Sequence, residues 1–429
     1  MTAAAPVVIV DPYAPARGFP AAFRAAGHPV VRVQSTPEVP LVYRGSLDLS
    51  EYQDNLVFTG DLEAFTRTVR ALRPAAVLTG SEIGVEFADL LSEALGLPGN
   101  GTELSRARRD KYAMIERIKA CGVPGARQLL VESEEQLRAW HERIGGTIVL
   151  KPLRSAAGDG VSFCSTPDQS AAAYKLLADR TTVFSESAAG VVAQEYLVGT
   201  EYIVNTVSCQ GRHQVTDAWQ TERISVNGVT DLLVETYLLP AADAAVRELT
   251  PYAFEVLDAL GIQYGPAHLE IKRTPNGPRL VEIGARISGG ELPYYAQRAI
   301  GEGQLEWTVD AYLRPDRFAA RAGQNYRVRR AIGWAGLASP YEGRLVGYRD
   351  LQKIRELPSV VDVRTLVRPG EWIRRTVDDM TYPLTVRLEH EVHDVLLRDL
   401  NTIRYLDGAF MYEVVTDRPP HAHTSSCTR

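Results

Sequence analysis

The stretch from residue 267 to residue 286 constrains the fold more strongly than any other part of the sequence. Apolar and polar residues alternate in Ala267–Lys272 and again in Arg279–Ile283, which predicts two β-strands. The residues Thr274–Pro278 between them are typical of a tight turn, so we expect an antiparallel hairpin. One face would pack on a core, and it would consist of Ala267, Leu269, Ile271, Val281 and Ile283.

The other face of this hairpin carries charge. If the hairpin is symmetric about Asn276, Glu270 lies directly opposite Glu282, and His268 lies opposite Gly284. Carboxylates whose Cβ atoms are about 4.5–5.5 Å apart repel each other unless a proton or a divalent cation lies between them. Mg²⁺ suits such a pair, because it prefers oxygen ligands and shares its other positions with water and phosphate oxygens. The alternatives are a solvated polar face, or a register slip of one residue that separates the two side chains.

The first hundred residues alternate between short β-branched runs and helical patterns, which indicates a parallel sheet with crossover helices. The predicted elements are the strands Val7–Val10, Pro29–Val33, Leu56–Phe58 and Ala75–Leu78, and the helices Asp61–Leu72 and Glu82–Leu95. Asp11-Pro12-Tyr13 follows the first strand where a Rossmann dinucleotide site would have GxGxxG, so no pyrophosphate is expected to bind there. Thr79–Glu82 ends another strand, where α/β sheets tend to offer ligands a crevice.

Beyond residue 101 the patterns indicate an α+β body with mostly antiparallel strands. Asp110 and Ser133 are predicted to begin two helices as N-caps. The remaining predicted helices are Lys111–Ala120, Asp168–Leu177 and Ala244–Leu260. The remaining predicted strands are Thr147–Lys151, Val161–Ser165, Val191–Leu197, Tyr202–Ser208 and Gln214–Trp219.

Composition argues against several kinds of partner. Forty-seven basic and 53 acidic side chains give a net charge of −6, so the chain would repel nucleic acid. No run approaches the roughly 18 apolar residues of a membrane span, and the N-terminus does not match a secretory signal. The four dispersed cysteines form neither a CxxC zinc site nor a disulfide framework, and all except Cys427 are expected to be buried. We therefore expect a globular cytoplasmic protein.

A lysine followed by a loop of small residues is a second signal. Lys151 ends a predicted strand, and the loop Ser155–Gly160 leads into the next one. The pattern is not a Walker A loop, but backbone N–H groups of such a loop can fold over phosphates, with Lys151 as the point charge. A plain hairpin turn is the alternative interpretation.

Two weaker signals complete the set. The stretch QEYLVGTEY at residues 194–202 joins two strands, whose backbone could bind an adenine edge while Glu201 accepts hydrogen bonds from ribose hydroxyls. Each of these residues could equally be ordinary strand surface. Lys111 lies in the first turn of its helix, where a cation opposes the helix dipole. Such a lysine is either retained for another role or simply tolerated.

The order and spacing of these four pieces resemble the ATP-grasp superfamily. Within it, the chain looks most like the carboxylate–amine ligases that join two L-amino acids into a dipeptide, and the likeness extends over nearly the whole chain. It implies an ATP-grasp fold, of class α/β plus α+β, with an N-terminal Rossmann-like domain. The implied division is a pre-ATP-grasp domain at 1–100, a lid or central subdomain at 101–190, a C-terminal catalytic subdomain at 191–325, an accessory domain at 326–415 and a disordered tail at 416–429.

The resemblance also implies roles for individual residues. Lys111 and Lys151 would contact the phosphates of ATP, and Glu270 and Glu282 would bind Mg²⁺. Arg286 would steady the transferring phosphoryl group and the tetrahedral intermediate. The rest of the nucleotide site would consist of Ser155, Gly158 and Gly160 in a closing loop, Gln194, Glu195 and Leu197 at the adenine, and Glu201 at the ribose.

The sequence departs from the family pattern at two positions. Gly284 stands where many members have an asparagine that completes the second metal site, so one or two Mg²⁺ ions are expected, with Mn²⁺ as a substitute. Gln194 stands where glutamate is common, although an amide can still accept a hydrogen bond from the adenine amino group.

The implied reaction forms an amide bond. A carboxylate attacks the γ-phosphorus of ATP to give an acyl phosphate and ADP, and an amine then displaces phosphate. His268 and Glu235 are candidates for assisting loss of the amine's proton, although either could be structural or substrate-orienting. The expected partners are small amino-acid-like substrates and, as a candidate assembly, a second copy in a homodimer.

Three alternatives to this reaction remain open. The first is an ATP-grasp ligase with another carboxylate or acceptor, of the purine-pathway or carboxylating type. The second is an enzyme that makes the acyl phosphate without a second amine. The third is an ATP-binding module without turnover.

Overall fold

The computed structural model describes residues 4–155, 158–178 and 190–415. The chain divides into two compact units: the first is Met1–Thr221 with Leu238–Arg329, and the second is Glu222–Tyr237 with Arg330–Arg429. The predicted tail, which includes Cys427, and residues 156–157 of the predicted closing loop lie outside the described residues. None of the helices described here combines the length and the apolar character needed to cross a membrane.

The N-terminal part of the first unit is a four-stranded parallel sheet in the order β3-β2-β1-β4. The predicted strands are confirmed to within about two residues, and Asp61 caps its helix as predicted by accepting from Ala64 N. The helix predicted from Glu82 instead begins as a 3₁₀ turn, Glu82–Gly84. The elements are β1 (Val7–Val10), α1 (Phe19–Ala25), β2 (Val30–Gln34), β3 (Asp54–Val57), α2 (Leu62–Ala71), β4 (Ala76–Thr79) and α3 (Val85–Leu95), with further 3₁₀ turns at Ala14–Ala16 and Leu41–Ser46.

A second sheet of the first unit is antiparallel and has the order β5-β8-β6-β7. Its core includes Leu137, Trp140, Ile148 and Leu150, so the helix that Ser133 caps packs its apolar side on the sheet. Strand β5 was not predicted, because four residues give too short a pattern. The elements are α4 (Lys111–Ala120), β5 (Gln128–Val131), α5 (Glu134–Ile144), β6 (Ile148–Pro152), β7 (Ser162–Cys164), α6 (Pro167–Ala178) and β8 (Val191–Glu195).

The predicted hairpin lies in a third sheet, which is antiparallel, and the first unit contributes the strand order β13-β12-β9-β10 to it. Residues 222–226 of β10 and nearly all of β11 belong to the second unit. The three helices that follow the hairpin were not predicted. The elements are β9 (Thr200–Cys209), β10 (Arg212–Val226), β11 (Val229–Leu238), α7 (Ala244–Ala259), β12 (Gly265–Thr274), β13 (Gly277–Gly284), α8 (Leu292–Ile300), α9 (Gln304–Leu313) and α10 (Pro315–Arg321).

The second unit contains the strand order β11-β14-β18-β16 and a small sheet β17-β15-β19. Its core includes Leu337, Val386, Leu388, Leu396 and Ile403, which come from these strands and from the long helix α12. The elements are β14 (Ala331–Leu337), β15 (Gly343–Tyr348), α11 (Leu351–Arg355), β16 (Val360–Thr365), β17 (Trp372–Ile373), β18 (Leu384–His390), α12 (His393–Leu406), a 3₁₀ turn (Ala409–Met411) and β19 (Tyr412–Val415).

The register predicted for the hairpin is confirmed at the positions that matter. Glu270 is paired with Glu282 and His268 with Gly284, but the turn is the two residues 275–276, closed by the Thr274–Gly277 pair. A bulge restores the predicted register, because Ile271 pairs with Leu280 and Val281 is the extra residue. The assignment of Val281 to the buried face was therefore wrong, and Leu280 takes that place with 1% of its surface exposed.

One further expectation is corrected. Cys164 and Cys209 are buried, but Cys121 is exposed because it is the residue at which helix α4 ends. All three are free thiols, as expected from their spacing.

Candidate active site

The helix lysine reaches the carboxylate pair of the hairpin. Lys111 Nζ donates to Glu282 Oε1 at 2.8 Å and to the carbonyl oxygen of Ser155 at 2.9 Å, and its side chain is almost fully buried. The backbone N–H of Lys111 also donates to the carbonyl of Leu153 at 3.0 Å. One lysine thus ties the start of α4 to the loop after β6 and to β13, which accounts for a cation at an unfavourable helix position.

Lys151, on β6, lies close enough to the carboxylates of the hairpin for their charges to change its pKa. Burial lowers the pKa of Lys151, the Glu282, Glu270 and Glu201 carboxylates oppose that shift, and the charge of Lys111 adds to it. Within the described residues Lys151 has no ion-pair partner closer than 4 Å. Two lysines and three glutamates from five segments of the sequence therefore share one region, which is a site able to bind a polyanion together with a cation.

The loop after β6 begins at this charged region. The Ser155 carbonyl accepts from Lys111, and Ser155 itself is 3% exposed. Gly158 and Gly160 both have positive φ angles, 75° and 76°, and a Cβ atom at Gly160 would lie 2.7 Å from Pro152 Cγ. Both glycines therefore have a backbone reason to be glycine, and the described part of the loop is consistent with a phosphate-binding turn.

The residues predicted at the adenine lie at the end of β8, and two of their side chains are engaged in local contacts. The Gln194 amide donates to Gln128 Oε1 at 2.9 Å, and the Glu195 carboxylate accepts from Arg127 N at 2.8 Å and Arg127 Nε at 2.7 Å. Any contact of Glu195 with a base would therefore come from its backbone. Leu197 is half-buried beyond the strand end, and Glu201 is buried opposite Lys272 of β12.

Arg286 is held by a glutamate of the N-terminal sheet. Arg286 Nε donates to Glu82 Oε2 at 3.0 Å, and Arg109 NH1 donates to the other oxygen of the same carboxylate. Burial alone would raise the pKa of Glu82, but the Arg109 and Arg286 guanidiniums together hold it below the usual value. The sequence places Glu82 only at a strand end and at the start of the next predicted helix, and it does not single out Arg109, because no local pattern links residues 82, 109 and 286.

This ion pair explains the glycine at position 284. A Cβ atom on Gly284 would lie 2.9 Å from Arg286 Cζ and 3.0 Å from Glu82 Oε2, so an asparagine would collide with both partners. Gly284, where the resemblance leads us to expect an asparagine, thus leaves space for the Glu82–Arg286 pair. Nowhere in the described ranges do three or more His, Cys, Asp or Glu side chains form a metal-binding group.

The two candidates for assisting the amine lie in different units. His268 belongs to the first, and its Nε2 is 3.4 Å from Glu270 Oε1. Glu235 belongs to the second, where its carboxylate accepts from Arg404 Nε at 3.1 Å and Arg404 also donates to Asp407 at 2.8 Å. Burial raises the pKa of Glu235 despite this pairing. Its role at the amine stays a prediction.

Known proteins are similar to this chain in sequence and in fold. The model of the ATP-grasp domain family matches residues 144–293. Dapdiamide A synthase from Enterobacter agglomerans is 31% identical over 416 residues, which cover 95% of this chain and 96% of that protein. An L-arginine-specific L-amino acid ligase from Bacillus subtilis is 21% identical over 298 residues, which cover 69% and 70%. The crystal structure of an L-amino acid ligase from Bacillus licheniformis has a TM-score of 0.70 at 18% identity, over 97% of this chain and 100% of that one.

These similarities define the fold class of the chain and then the group of enzymes within that class. The fold is that of the ATP-grasp enzymes. The chain belongs to the ATP-grasp ligases of the carboxylate–amine type, the group that includes dapdiamide A synthase. The predicted family, fold and enzyme class are confirmed.

We predict that Glu82→Gln lowers the free energy of unfolding by about 3 kcal/mol at neutral pH, because it leaves the buried guanidinium of Arg109 and the partly buried one of Arg286 without a counter-charge. The folded-state pKa of Glu82 lies below the usual value of 4.5, so this difference should be full above about pH 5 and shrink as the pH falls below 4.5. Denaturant titrations of both proteins from pH 3.5 to pH 8 measure it.

The control for Glu82→Gln is Glu86→Gln. Glu86 pairs with Arg154 at 2.8 Å, but both side chains are more than one-third exposed, so we expect a loss of less than about 1 kcal/mol. Equal effects of the two substitutions, or a Glu82 effect that does not change with pH, would contradict the prediction.

Proposed function

We propose that this protein is an ADP-forming ligase that joins the carboxylate of one amino-acid-like substrate to the amine of a second amino acid. ATP first phosphorylates the carboxylate, which turns a poor leaving group into a good one, and the amine then displaces phosphate. The observation that carries the proposal is the pairing of Glu270 with Glu282 across the hairpin, beside Lys111 and Lys151. Two close carboxylates flanked by two lysines suit a magnesium nucleotide better than any neutral ligand.

Glu270 and Glu282 would hold the metal. Two carboxylates supply only part of a Mg²⁺ shell, and phosphate and water oxygens would fill the rest, for one ion or for two. Gly284 has no side chain to offer a further ligand, and Mn²⁺ is expected to substitute for Mg²⁺ because it also binds oxygen. When bound, the metal would neutralise phosphate charge.

The nucleotide would lie between β8 and the charged region. Lys111 and Lys151 would contact its phosphates, and Ser155, Gly158 and Gly160 would form the loop that closes over them. Gln194, Glu195 and Leu197 would border the adenine, and the buried Glu201 would accept from the ribose. Exclusion of water matters in such a site, because an acyl phosphate hydrolyses without product.

Arg286 would act at the reacting centre. Its guanidinium is anchored to Glu82 through Nε and donates through NH1 to the carbonyl of Ile287 at 2.9 Å, so its direction is set before substrate binds. A preorganised cation stabilises charge that develops on the phosphoryl and tetrahedral oxygens. His268 and Glu235 would assist the amine. We propose the cytoplasm as the compartment, in keeping with three free thiols, and a homodimer as the candidate assembly.

The decisive assay measures ADP and product together. Purified protein is incubated with ATP, Mg²⁺ and pooled amino acids, ADP release is followed continuously, and products are identified by mass spectrometry. We expect ADP release that depends on the amino acids and a condensed dipeptide-like product. Release with bicarbonate or purine intermediates alone would favour the other ATP-grasp ligases, release without condensation would favour an acyl phosphate product, and tight ATP binding without turnover would favour a regulatory module.

Glu282→Ala should abolish metal-dependent turnover and leave the fold intact, because it removes half of the carboxylate pair and the partner of Lys111. The drop in kcat is expected to be about 10²-fold or more. Circular dichroism and thermal unfolding check the fold. Undiminished turnover in this variant would remove Glu282 from the site.

Lys151→Met should separate stability from activity. Because burial already lowers the pKa of Lys151 and no carboxylate in the described part of the chain forms an ion pair with it, replacing its charge should leave the apparent Tm without nucleotide equal or higher. ATP binding and ADP formation should fall by about 10²-fold or more. Lys119→Met, at an exposed lysine paired with Glu116, is the matched control and should change neither. A destabilised Lys151→Met variant with full activity would contradict the assignment.

A further inference from the structure

Lys272 is a buried lysine on the face of the hairpin that carries the two glutamates. It follows Glu270 by two residues on β12, so both side chains project from the same face of the strand. Only 5% of Lys272 is exposed. An ammonium group held away from water needs a partner of opposite charge or a polarisable group beside it, because burying a charge alone is costly.

The pairing of the strands places Lys272 beside Glu201. The two residues lie directly opposite each other on β12 and β9, and Glu201 is also 5% exposed. Residues paired in this way have Cβ atoms about 4.5–5.5 Å apart, so their side chains are neighbours on one face of the sheet. The residue in register with Glu201 on its other side is Thr221 of β10, which is neutral. Lys272 is therefore the cation that the sheet places next to the Glu201 carboxylate.

The ring of Tyr196 shows where the ammonium group of Lys272 lies. Nζ is 4.8 Å from the centroid of that ring, which is within the range of a cation–π contact. Tyr196 stands between Glu195 and Leu197 in the sequence, and its N–H donates to the carbonyl of Thr147 at 3.2 Å. The ammonium group is therefore next to the segment at which the adenine is expected to bind.

The connection between β8 and β9 lies directly against β12 at this point. Thr200, the first residue of β9, pairs with Arg273, which follows Lys272. A Cβ atom on Gly199 would lie 2.8 Å from the carbonyl carbon of Arg273, so the close approach of the two backbones requires glycine. Because Glu201 comes two residues after Gly199, this contact helps to keep Glu201 in register with Lys272.

We propose that Lys272 is a positioning residue of the nucleotide site, which holds the Glu201 carboxylate in the orientation that accepts hydrogen bonds from the ribose hydroxyls. This inference rests on the proposed function, because it takes the nucleotide to bind where that proposal places it. Within the pair, Tyr196 and the strand register fix Lys272, and Lys272 in turn fixes Glu201.

The position of Glu201 relative to the phosphates fits this role. Burial lowers the pKa of Lys151, and the charge of Glu201 is among those that oppose the shift. Glu201 is therefore within electrostatic range of a lysine that is expected to contact the phosphates, while its neighbour Lys272 lies at the adenine segment. The ribose of a bound nucleotide lies between its base and its phosphates, which is where this carboxylate would meet it.

The proposed role determines which sugar the site prefers. A carboxylate that is oriented before the nucleotide binds loses little further freedom when it accepts hydrogen bonds, and bonds to a charged acceptor are stronger than neutral ones. A nucleotide without ribose hydroxyls cannot donate these bonds and leaves the buried acceptor unsatisfied. We therefore expect Lys272 to increase the preference of the site for ATP over 2′,3′-dideoxy-ATP.

Two other roles of Lys272 make different predictions. If Lys272 contacts a phosphate directly, its removal weakens the binding of ATP and of dideoxy-ATP by the same factor. If the Lys272–Glu201 pair only stabilises the sheet, its removal lowers the Tm and leaves the ratio of the two dissociation constants unchanged. The ratio of the dissociation constants therefore separates the three roles.

The first experiment measures this ratio in the wild-type protein. Isothermal titration calorimetry with Mg²⁺ and either nucleotide, without a carboxylate substrate, reports binding independently of ligation. We expect ATP to bind about tenfold or more tightly than dideoxy-ATP. Equal affinities would overturn this inference and leave the proposed function standing. Absence of ATP binding would overturn both.

The second experiment replaces Lys272. Lys272→Met keeps the length of the side chain and removes its charge, so we expect the affinity for ATP to fall about tenfold and that for dideoxy-ATP to change by less than about twofold. Lys272→Arg keeps a cation that can pair with Glu201 and should retain most of the preference for ATP. Arg273→Met is the matched control, because Arg273 projects from the other face of β12 and pairs with Glu248 at 2.7 Å, and it should change neither affinity.

A double-mutant cycle tests whether Lys272 acts through Glu201. We expect the variant with both Glu201→Gln and Lys272→Met to bind ATP no more weakly than Glu201→Gln alone. Additive losses, or equal losses for ATP and dideoxy-ATP in Lys272→Met, would overturn the proposal, and so would a lowered Tm with an unchanged ratio. If Lys272→Met does not fold, the wild-type ratio and the comparison of the double variant with Glu201→Gln still decide the question.

Discussion

The pairing of Glu270 with Glu282 across the hairpin is the constraint on which the candidate site depends. Antiparallel pairing fixes them face to face, and a two-residue turn followed by a bulge at Val281 holds that register. Lys111 pairs with one carboxylate, while Lys151 is buried nearby and, among the residues that the structure describes, forms no ion pair. A ligand that carries both a divalent cation and phosphates matches such a cluster, because the cation can bind the carboxylates while the phosphates contact the lysines.

A second group of charges reinforces this arrangement from the N-terminal sheet. Glu82 binds Arg109 and Arg286 together, and the missing side chain of Gly284 gives the pair its space. A side chain at position 284 would therefore displace the Arg286 guanidinium or the Glu82 carboxylate from its observed place.

The sequence was sufficient to predict the elements that local periodicity and capping residues determine, and the one residue pair that antiparallel hairpin pairing determines. The parallel sheet, the caps at Asp61, Asp110 and Ser133, and the Glu270–Glu282 pair are of this kind. The bulge that exchanges Val281 for Leu280 was not predictable, because alternation carries no information about an inserted residue. Ion-pair partners that are distant in the sequence were not predictable either. Arg109 lies 27 residues from its partner Glu82, and Arg404 lies 169 residues from its partner Glu235. The sequence gives no sign that the Glu195 carboxylate has a partner, and only the structure shows that it forms an ion pair with Arg127.

The central claim is that the two opposed glutamates hold the cation of a magnesium nucleotide. Its most direct measurement is anomalous diffraction from crystals grown with Mn²⁺ and a non-hydrolysable ATP analogue. We expect a manganese peak within about 2.5 Å of carboxylate oxygens of both Glu270 and Glu282, next to the analogue's phosphates. A peak at other residues, or an analogue bound away from Lys111 and Lys151, would contradict the account.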